Sequence, residues 1–171
     1  MAAPEPAKVA LTGLAPVVSA RSRLLVLGSF PGVKSLAAAQ YYAHPQNHFW
    51  KILSALWSVP LRELPYEERL ATLQERGLAL WDVYDQCERE GSLDSAIRRP
   101  VVNDFAALLA RHPQIEAIAH NGGESYKHAR HTSAFGRPVY RLPSTSPANA
   151  SWSFERKLAA WREVLVRHGL A

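Results

Sequence analysis

The residues best suited to chemistry occur in four short polar or glycine-rich segments. They are residues 28–32 (GSFPG), 82–85 (DVYD), 120–123 (HNGG) and 143–149 (PSTSPAN). The small hydroxyls and backbone N–H groups of the last segment suit phosphate oxygens. Lys34 and Ser35, just past the first segment, suit them too. The pattern favours a site that binds a phosphate-bearing ligand.

Each of these segments follows an apolar run that is typical of a buried strand. The predicted strands are 24–27, 78–83, 115–119 and 139–142, and the predicted helices are 47–57, 65–76, 103–111, 124–131 and 151–168. Short buried strands that alternate with helices form a parallel sheet covered on both faces. The chain is therefore predicted to be a three-layer α/β/α sandwich with a short four-stranded parallel sheet. Ligands bind beyond the carboxyl ends of such strands, where the four segments should converge.

Length and composition predict one domain and a polyanionic partner. The 171 residues suit a single domain, with 1–20 as a loose, Ala/Pro-rich lead-in and 21–171 as the domain. Hydrophobic residues make up 47% of the chain and charged residues 20%, which is ordinary for a globular protein. The net charge of +5 fits DNA or another polyanion, but charge alone does not separate such a partner from a merely basic surface.

Several classes of site are excluded by the residues that the chain contains. Cys87 is the only cysteine, which excludes a disulfide framework, a cysteine zinc site and a cysteine-held iron–sulfur cluster. The seven histidines show no metal-binding spacing, so neither a metal nor a cofactor is expected. No apolar run reaches the length of a membrane span, and the N-terminus does not have the pattern of a signal peptide. These features favour a cytoplasmic location.

Taken together, six segments resemble the uracil-DNA glycosylase superfamily. GSFPG stands in the place of its first motif, YYAHPQNHFW in that of a loop-to-helix segment, and RLPSTSPANA in that of its second motif. With LWDV, CEREGSLD and NDF added, the set is most similar to the hypoxanthine-DNA glycosylase family. The resemblance runs from about residue 24 to 161. It implies a monomeric, monofunctional enzyme of base excision repair that flips a deaminated base, here hypoxanthine, out of DNA and hydrolyses its glycosidic bond.

The resemblance also implies roles for particular residues. Asn47 would position the attacking water, Tyr42 would stack on the flipped base, and Asp82 would accept a hydrogen bond from its edge. The implied base pocket further contains Gly28, Ser29, Phe30, Pro31 and Asn121. The implied DNA-binding residues are Lys34, Ser35, Ser144, Thr145, Ser146, Pro147 and Asn149, with Asn149 entering the gap left by the base. One departure is Phe30, because the mismatch-specific relatives carry their catalytic asparagine there.

Each of these roles has a structural alternative. Asn47 is also a good helix cap, Phe30 could anchor its loop in the core, and Asp82 could cap a turn or pair with Arg98 or Arg99. One residue of the Tyr41–Tyr42 pair is expected in the core and the other in the pocket.

Other functions also remain open. The rivals are a uracil or mismatch glycosylase, a DNA-binding relative without catalysis, and a hydrolase of free nucleosides. No lysine is placed for a Schiff base, so lyase activity is not expected. The segment CEREGSLD could be an arginine-clamped loop, to which the sequence gives no sharper role.

Overall fold

The computed structural model describes residues 10–171 and contains a four-stranded parallel sheet with the order β3-β2-β6-β7. Its strands are β2 (Leu24–Gly28), β3 (Leu78–Asp82), β6 (Ala117–Asn121) and β7 (Val139–Leu142). Gly28 pairs with Asp82, and Asn121 pairs with Leu142, so these strands end at one edge. The predicted convergence of the strand ends is therefore confirmed.

Helices cover both faces of this sheet. They are α1 (Val33–Ala38), α2 (Phe49–Trp57), α3 (Tyr66–Glu75), α4 (Phe105–Arg111), α5 (Gly123–Tyr126), α6 (Ala129–Thr132) and α7 (Phe154–Arg167). Successive strand residues point to opposite faces. Leu24 and Val26 accordingly join the core beneath α2, α3 and α7, whereas Leu25 and Leu27 join the core beneath α4. The predicted three-layer sandwich is confirmed.

A second, antiparallel sheet was not predicted. It has the order β1-β4-β5, from β1 (Leu11–Thr12), β4 (Tyr84–Glu88) and β5 (Arg98–Val102). The sequence 84–102 looks like a polar connection because every residue of β5 is exposed, so no hydrophobic alternation marks it as a strand.

Strand β1 lies within residues 1–20, which the sequence predicted to be a loose lead-in. β1 pairs with β4, and Val17 forms an antiparallel bridge with Leu80, so residues 11–17 contact the domain. Residues 1–9, the rest of that segment, lie outside the described residues.

Several predicted boundaries shift. The third strand begins and ends two residues later than predicted, because His120 is buried between the hydroxyls of Ser125 and Thr132. The predicted helix 124–131 is divided into α5 and α6, and α1 was missed. The last helix begins at Phe154, three residues later than predicted, and is capped by Ser153, whose hydroxyl accepts the N–H of Arg156. Within residues 10–171 no helix is both long enough and apolar enough to span a membrane.

Candidate active site

A cleft of about 750 Å³ opens at the carboxyl edge of the parallel sheet. All fifteen residues that the sequence implied for catalysis, base binding or DNA binding line it. They are Gly28, Ser29, Phe30, Pro31, Lys34, Ser35, Tyr42, Asn47, Asp82, Asn121, Ser144, Thr145, Ser146, Pro147 and Asn149. The sheet therefore brings together segments that are more than a hundred residues apart in the chain.

Tyr42 presents an aromatic surface to the cleft. Its ring stacks on Phe49 of α2, with centroids 4.1 Å apart and an angle of 26° between the planes. Its backbone has a φ of 55°, which is uncommon for a residue other than glycine. Tyr41 is instead a core residue, 4% exposed, whose hydroxyl donates to the carbonyl of Ala15 at 2.8 Å. Tyr41 also borders the cleft, so the expected division between the two tyrosines is one of degree: Tyr41 is buried and Tyr42 is half-buried.

Asn47 lies just before α2 at the boundary of the cleft. Its Oδ1 accepts the N–H of Phe49 at 2.9 Å, and its own N–H donates to the carbonyl of His44 at 3.0 Å. The side chain thus satisfies a first-turn N–H, although the N-cap position itself belongs to His48. An amide oxygen can accept a second hydrogen bond. The geometry therefore combines the capping interaction with a half-buried amide beside the cleft.

Asp82 ends β3 as a buried carboxyl group that lacks a full set of partners. The residue is 4% exposed, and Oδ2 has no hydrogen-bond partner among the described residues. Burial raises the pKa of Asp82 to about 7; the neighbouring charge of Asp94 adds to the rise and Arg89 opposes it. A Cβ at Gly28 would collide with Oδ1 of Asp82, so glycine is required for the carboxyl group to pack against β2.

The predicted alternative of an Asp82–arginine pair is wrong. Arg98 donates to the carbonyls of Ser95 and Ile97, and Arg99 lies 3.6 Å from Glu88. Because an unpaired buried polar atom costs free energy, the free oxygen of Asp82 indicates a place for a hydrogen-bond donor of a ligand.

Asn121 ties the sheet to the second motif instead of leaving its amide free. Its Nδ2 donates to the hydroxyls of Tyr42 at 3.1 Å and Thr145 at 3.0 Å, and its Oδ1 accepts the N–H of Thr145 at 3.0 Å. Thr145 is 1% exposed, and its carbonyl accepts the N–H of His48. The Thr145 hydroxyl is thus engaged inside the fold, so a phosphate contact would have to come from its neighbours.

The rest of the predicted DNA-binding segment is a tight loop. The Ser144 hydroxyl accepts the N–H of Ser146, the Ser146 hydroxyl accepts the N–H of Ala148, and Asn149 Nδ2 donates to the carbonyl of Ser144 at 3.1 Å. Pro147 is exposed at the tip. These bonds fix the loop shape and turn the Asn149 side chain back towards its own loop.

Lys34 and Ser35, two further predicted DNA-binding residues, differ in exposure and in hydrogen bonding. Lys34 is exposed on α1 and lines the cleft. Ser35 is buried, and its hydroxyl accepts the N–H of Ala43 at 3.1 Å. Ser35 therefore connects α1 to the segment that carries Tyr42, while Lys34 keeps its ammonium available.

A loop from the second sheet forms a wall of the cleft that sequence reasoning left without a role. Arg89 donates to the carbonyl of Pro31, and its guanidinium lies 5.3 Å from the ring centroid of Phe30. Ser29 donates to Asp94 at 2.6 Å. The expectation of an arginine clamp in CEREGSLD is confirmed, and it explains how GSFPG is held. Phe30 is 6% exposed, so it both anchors its loop and borders the cleft.

Lys157 of α7 is a buried lysine beside the site that the sequence does not reveal. It is 1% exposed, with Nζ 3.3 Å from His48 Nδ1 and 3.4 Å from the carbonyl of Ser146. No local signal marks it, since lysines on amphipathic helices are normally exposed. Among residues 10–171, no cluster of His, Cys, Asp or Glu could hold a metal ion.

The fold and the cleft together define a class of protein. It is an α/β protein in which a cleft with an aromatic surface and a buried carboxyl group lies at the carboxyl ends of parallel strands. The family model of the uracil DNA glycosylase superfamily matches residues 15–165 of this chain. Two proteins called hypoxanthine DNA glycosylase are similar. The one from Methanosarcina barkeri is 33% identical over 91% of this chain and 98% of its own length, and the one from Methanosarcina acetivorans 34% identical over the same shares.

A solved structure agrees with these sequence comparisons. The solution NMR structure of a provisionally assigned uracil DNA glycosylase from Methanosarcina acetivorans superposes with a TM-score of 0.80. It is 31% identical, and the match covers 91% of this chain and 99% of that one. The chain belongs to the uracil DNA glycosylase superfamily. The predicted family and the predicted enzyme class, a DNA glycosylase, are therefore confirmed.

Proposed function

We propose that the protein excises hypoxanthine from DNA as the first step of base excision repair. The names of the two curated relatives support this base. The observation that carries the proposal is that Tyr42 and the unpartnered Oδ2 of Asp82 belong to the same cleft. An extruded base needs both an aromatic surface to stack on and polar groups for its edge. We also propose that the protein acts as a monomer in the cytoplasm.

The base edge decides between substrates. Hypoxanthine carries a donor at N1–H, and an ionised Asp82 is a strong acceptor for it. Adenine, from which hypoxanthine arises, has an acceptor at N1, which an ionised carboxylate repels. A buried carboxylate therefore favours the deaminated base over its parent.

Asn47 is proposed to hold the water that attacks C1′ of the sugar. In the reaction the C1′–N9 bond breaks, the hydroxyl of water joins C1′, and its proton leaves for solvent or the departing base. Asn47 acts by position, because an amide does not ionise near neutral pH and so is neither a general acid nor a general base. Its bond to Phe49 fixes the amide relative to the ring that supports Tyr42.

The DNA strand is proposed to lie along the loop 144–149 and past Lys34. Ser144, Ser146 and the backbone N–H groups near Pro147 would contact phosphates, which position a strand without reading its sequence. Thr145 and Asn121 would keep the loop in place. Asn149 would leave the Ser144 carbonyl and occupy the gap in the base stack.

Product identification tests the proposal. Oligonucleotides with hypoxanthine, uracil, xanthine or a mismatched thymine, single- and double-stranded, are incubated with excess enzyme, and the released base is identified by mass. Release of hypoxanthine as the fastest reaction is expected. Faster release of uracil or thymine would transfer the assignment to that base, tight binding without release would make the protein a lesion-binding relative, and cleavage of free inosine alone would make it a nucleoside hydrolase.

A further inference from the structure

A second, smaller groove adjoins the cleft and has a cationic lining. It has a volume of about 430 Å³ and shares Asn47 and Asn149 with the cleft. Four basic side chains line it: His48, Lys51, Arg62 and Lys157. No aspartate or glutamate of the described chain lines this groove. Its electrostatic character therefore favours an anion.

Lys157 lies at the base of the groove without a counter-charge. Its Nζ contacts His48 Nδ1 and the carbonyl of Ser146, and none of the ion pairs among the described residues includes it. Burial lowers the pKa of Lys157. Because a buried charge is costly unless it is paired, folding alone does not account for a lysine at this position.

Two of the other basic side chains, Lys51 and His48, pack on one aromatic ring, that of Phe154. Lys51 Nζ lies 4.2 Å from its centroid, and the His48 ring packs on its edge at 5.4 Å. The pKa of His48 is lowered by burial and by the charges of Lys157 and Lys51, with Glu155 opposing them. Arg62 stands beyond them, bonded to the carbonyl of Pro45 at 3.0 Å. The groups around His48 thus repel a further positive charge and attract a negative one.

We propose that this groove binds a backbone phosphate of the DNA strand whose base enters the cleft, an inference that rests on the proposed function. A flipped nucleotide keeps its phosphates within one backbone unit of the base. Because Asn47 and Asn149 border both cavities, a strand that delivers its base to the cleft carries a flanking phosphate to the groove. The phosphate supplies the negative charge that Lys157 and Lys51 lack, and it raises the pKa of His48 so that this side chain takes up a proton.

The test measures binding of a duplex that contains 2′-fluoro-deoxyinosine, whose base can enter the cleft but whose glycosidic bond resists cleavage, as a function of salt concentration. Lys51→Met and Lys157→Met keep the apolar stem and remove the charge. Each is expected to reduce the slope of log affinity against log salt by about one unit, the effect of one lost phosphate contact. Arg111→Met is the matched control, since this exposed cation at the end of α4 lines neither the cleft nor the groove, and its slope should equal that of the wild type.

Folding is controlled by thermal melting. Lys157→Met is expected to raise the Tm, because it removes a buried charge, so weaker binding would not reflect unfolding. If Lys157→Met fails to fold, the exposed Lys51 carries the test alone. A folded Lys51→Met variant whose salt slope equals that of the wild type would contradict a phosphate site in the groove.

A separate measurement keeps the two proposals apart. Release of hypoxanthine by the wild type is assayed independently of the binding series. If the wild type releases no hypoxanthine but the salt slope of Lys51→Met is reduced, the proposed function is wrong and the phosphate site in the groove is supported. If the wild type releases hypoxanthine and the salt slope of Lys51→Met is unchanged, only the phosphate site in the groove is contradicted.

Discussion

The cleft and the cationic groove beside it differ in the charge that they leave uncompensated. On the side of β3, the carboxyl groups of Asp82 and Asp94 have raised pKa values because each is desolvated and each lies near other acidic groups. On the side where α2 meets α7, His48 and Lys157 have lowered pKa values, in both cases chiefly because of burial. The cleft thus holds an acceptor, Oδ2 of Asp82, that lacks a donor, and the groove holds cations that lack an anion.

This contrast indicates how a nucleotide would be oriented. A base with an N–H on its edge satisfies the carboxyl side, and a phosphate satisfies the lysine side. The reverse arrangement would bring phosphate to carboxylate and is electrostatically unfavourable. Asn47, which is neutral, lies where the cleft and the cationic groove meet, and there the glycosidic bond between base and sugar would be placed.

The largest effect is expected from Asn47→Ala, which removes the group between the two sides. Single-turnover release of the base should fall by roughly 100-fold or more, a common loss for a positioned polar group. DNA affinity should change little, because the amide acts mainly in the transition state. Asn47→Ser is the control: its hydroxyl can still accept the N–H of Phe49, so full activity in the serine variant would mean that only the cap matters.

A smaller effect is expected from Tyr42→Ala, which removes the aromatic surface. Lesion selectivity should drop by about 1–3 kcal/mol, the usual contribution of base–aromatic stacking. Tyr42→Phe keeps the ring on Phe49 and loses only the bond to Asn121, so it should retain most of the selectivity. Selectivity is measured as the ratio of lesion to undamaged affinity, with a melting curve for each variant. Unchanged selectivity beside a lower Tm would make Tyr42 a structural residue.

The smallest effect is expected from Lys34→Ala, an exposed cation outside the cationic groove. Lesion and undamaged DNA should be bound more weakly to the same extent, and the salt slope should fall by about one unit if the ammonium meets a phosphate. Binding isotherms at several salt concentrations provide the measurement. A loss confined to lesion DNA would show that Lys34 contributes to the base side instead.

The sequence predicted the parallel sheet and the four strand-end segments of the cleft because both leave local signals, whereas Tyr42 and Asn47 were assigned to the site only through the family resemblance. Apolar runs ended by glycine or small polar residues mark strand ends, and the register of parallel strands then aligns Gly28 with Asp82. The antiparallel sheet leaves no such signal, since β5 is exposed and is held by backbone pairing. Lys157 was missed for a related reason: its burial follows from the packing of α7 against the loop at Ser146, which no spacing along the helix indicates.

The charge state of Asp82 is expected to affect both the stability of the fold and the proposed recognition of the base. Its pKa in the folded protein, about 7, lies above the ordinary value of 3.8. The folded state therefore holds the proton more tightly than the unfolded chain, and this group's contribution to stability falls as pH rises from about 4 to 7. Asp82→Asn stays neutral and should be more stable than the wild type above pH 7, as measured by thermal melts across that range.

The pH dependence of hypoxanthine release tests the central claim, that the ionised carboxyl group of Asp82 accepts N1–H of the base. In the wild type, single-turnover release at subsaturating enzyme should rise with pH through about 7 and then level, as the carboxyl group ionises. Asp82→Asn should be slower and should lack this rise. A wild-type profile that is flat through pH 7, or an equal rise in the asparagine variant, would contradict the claim.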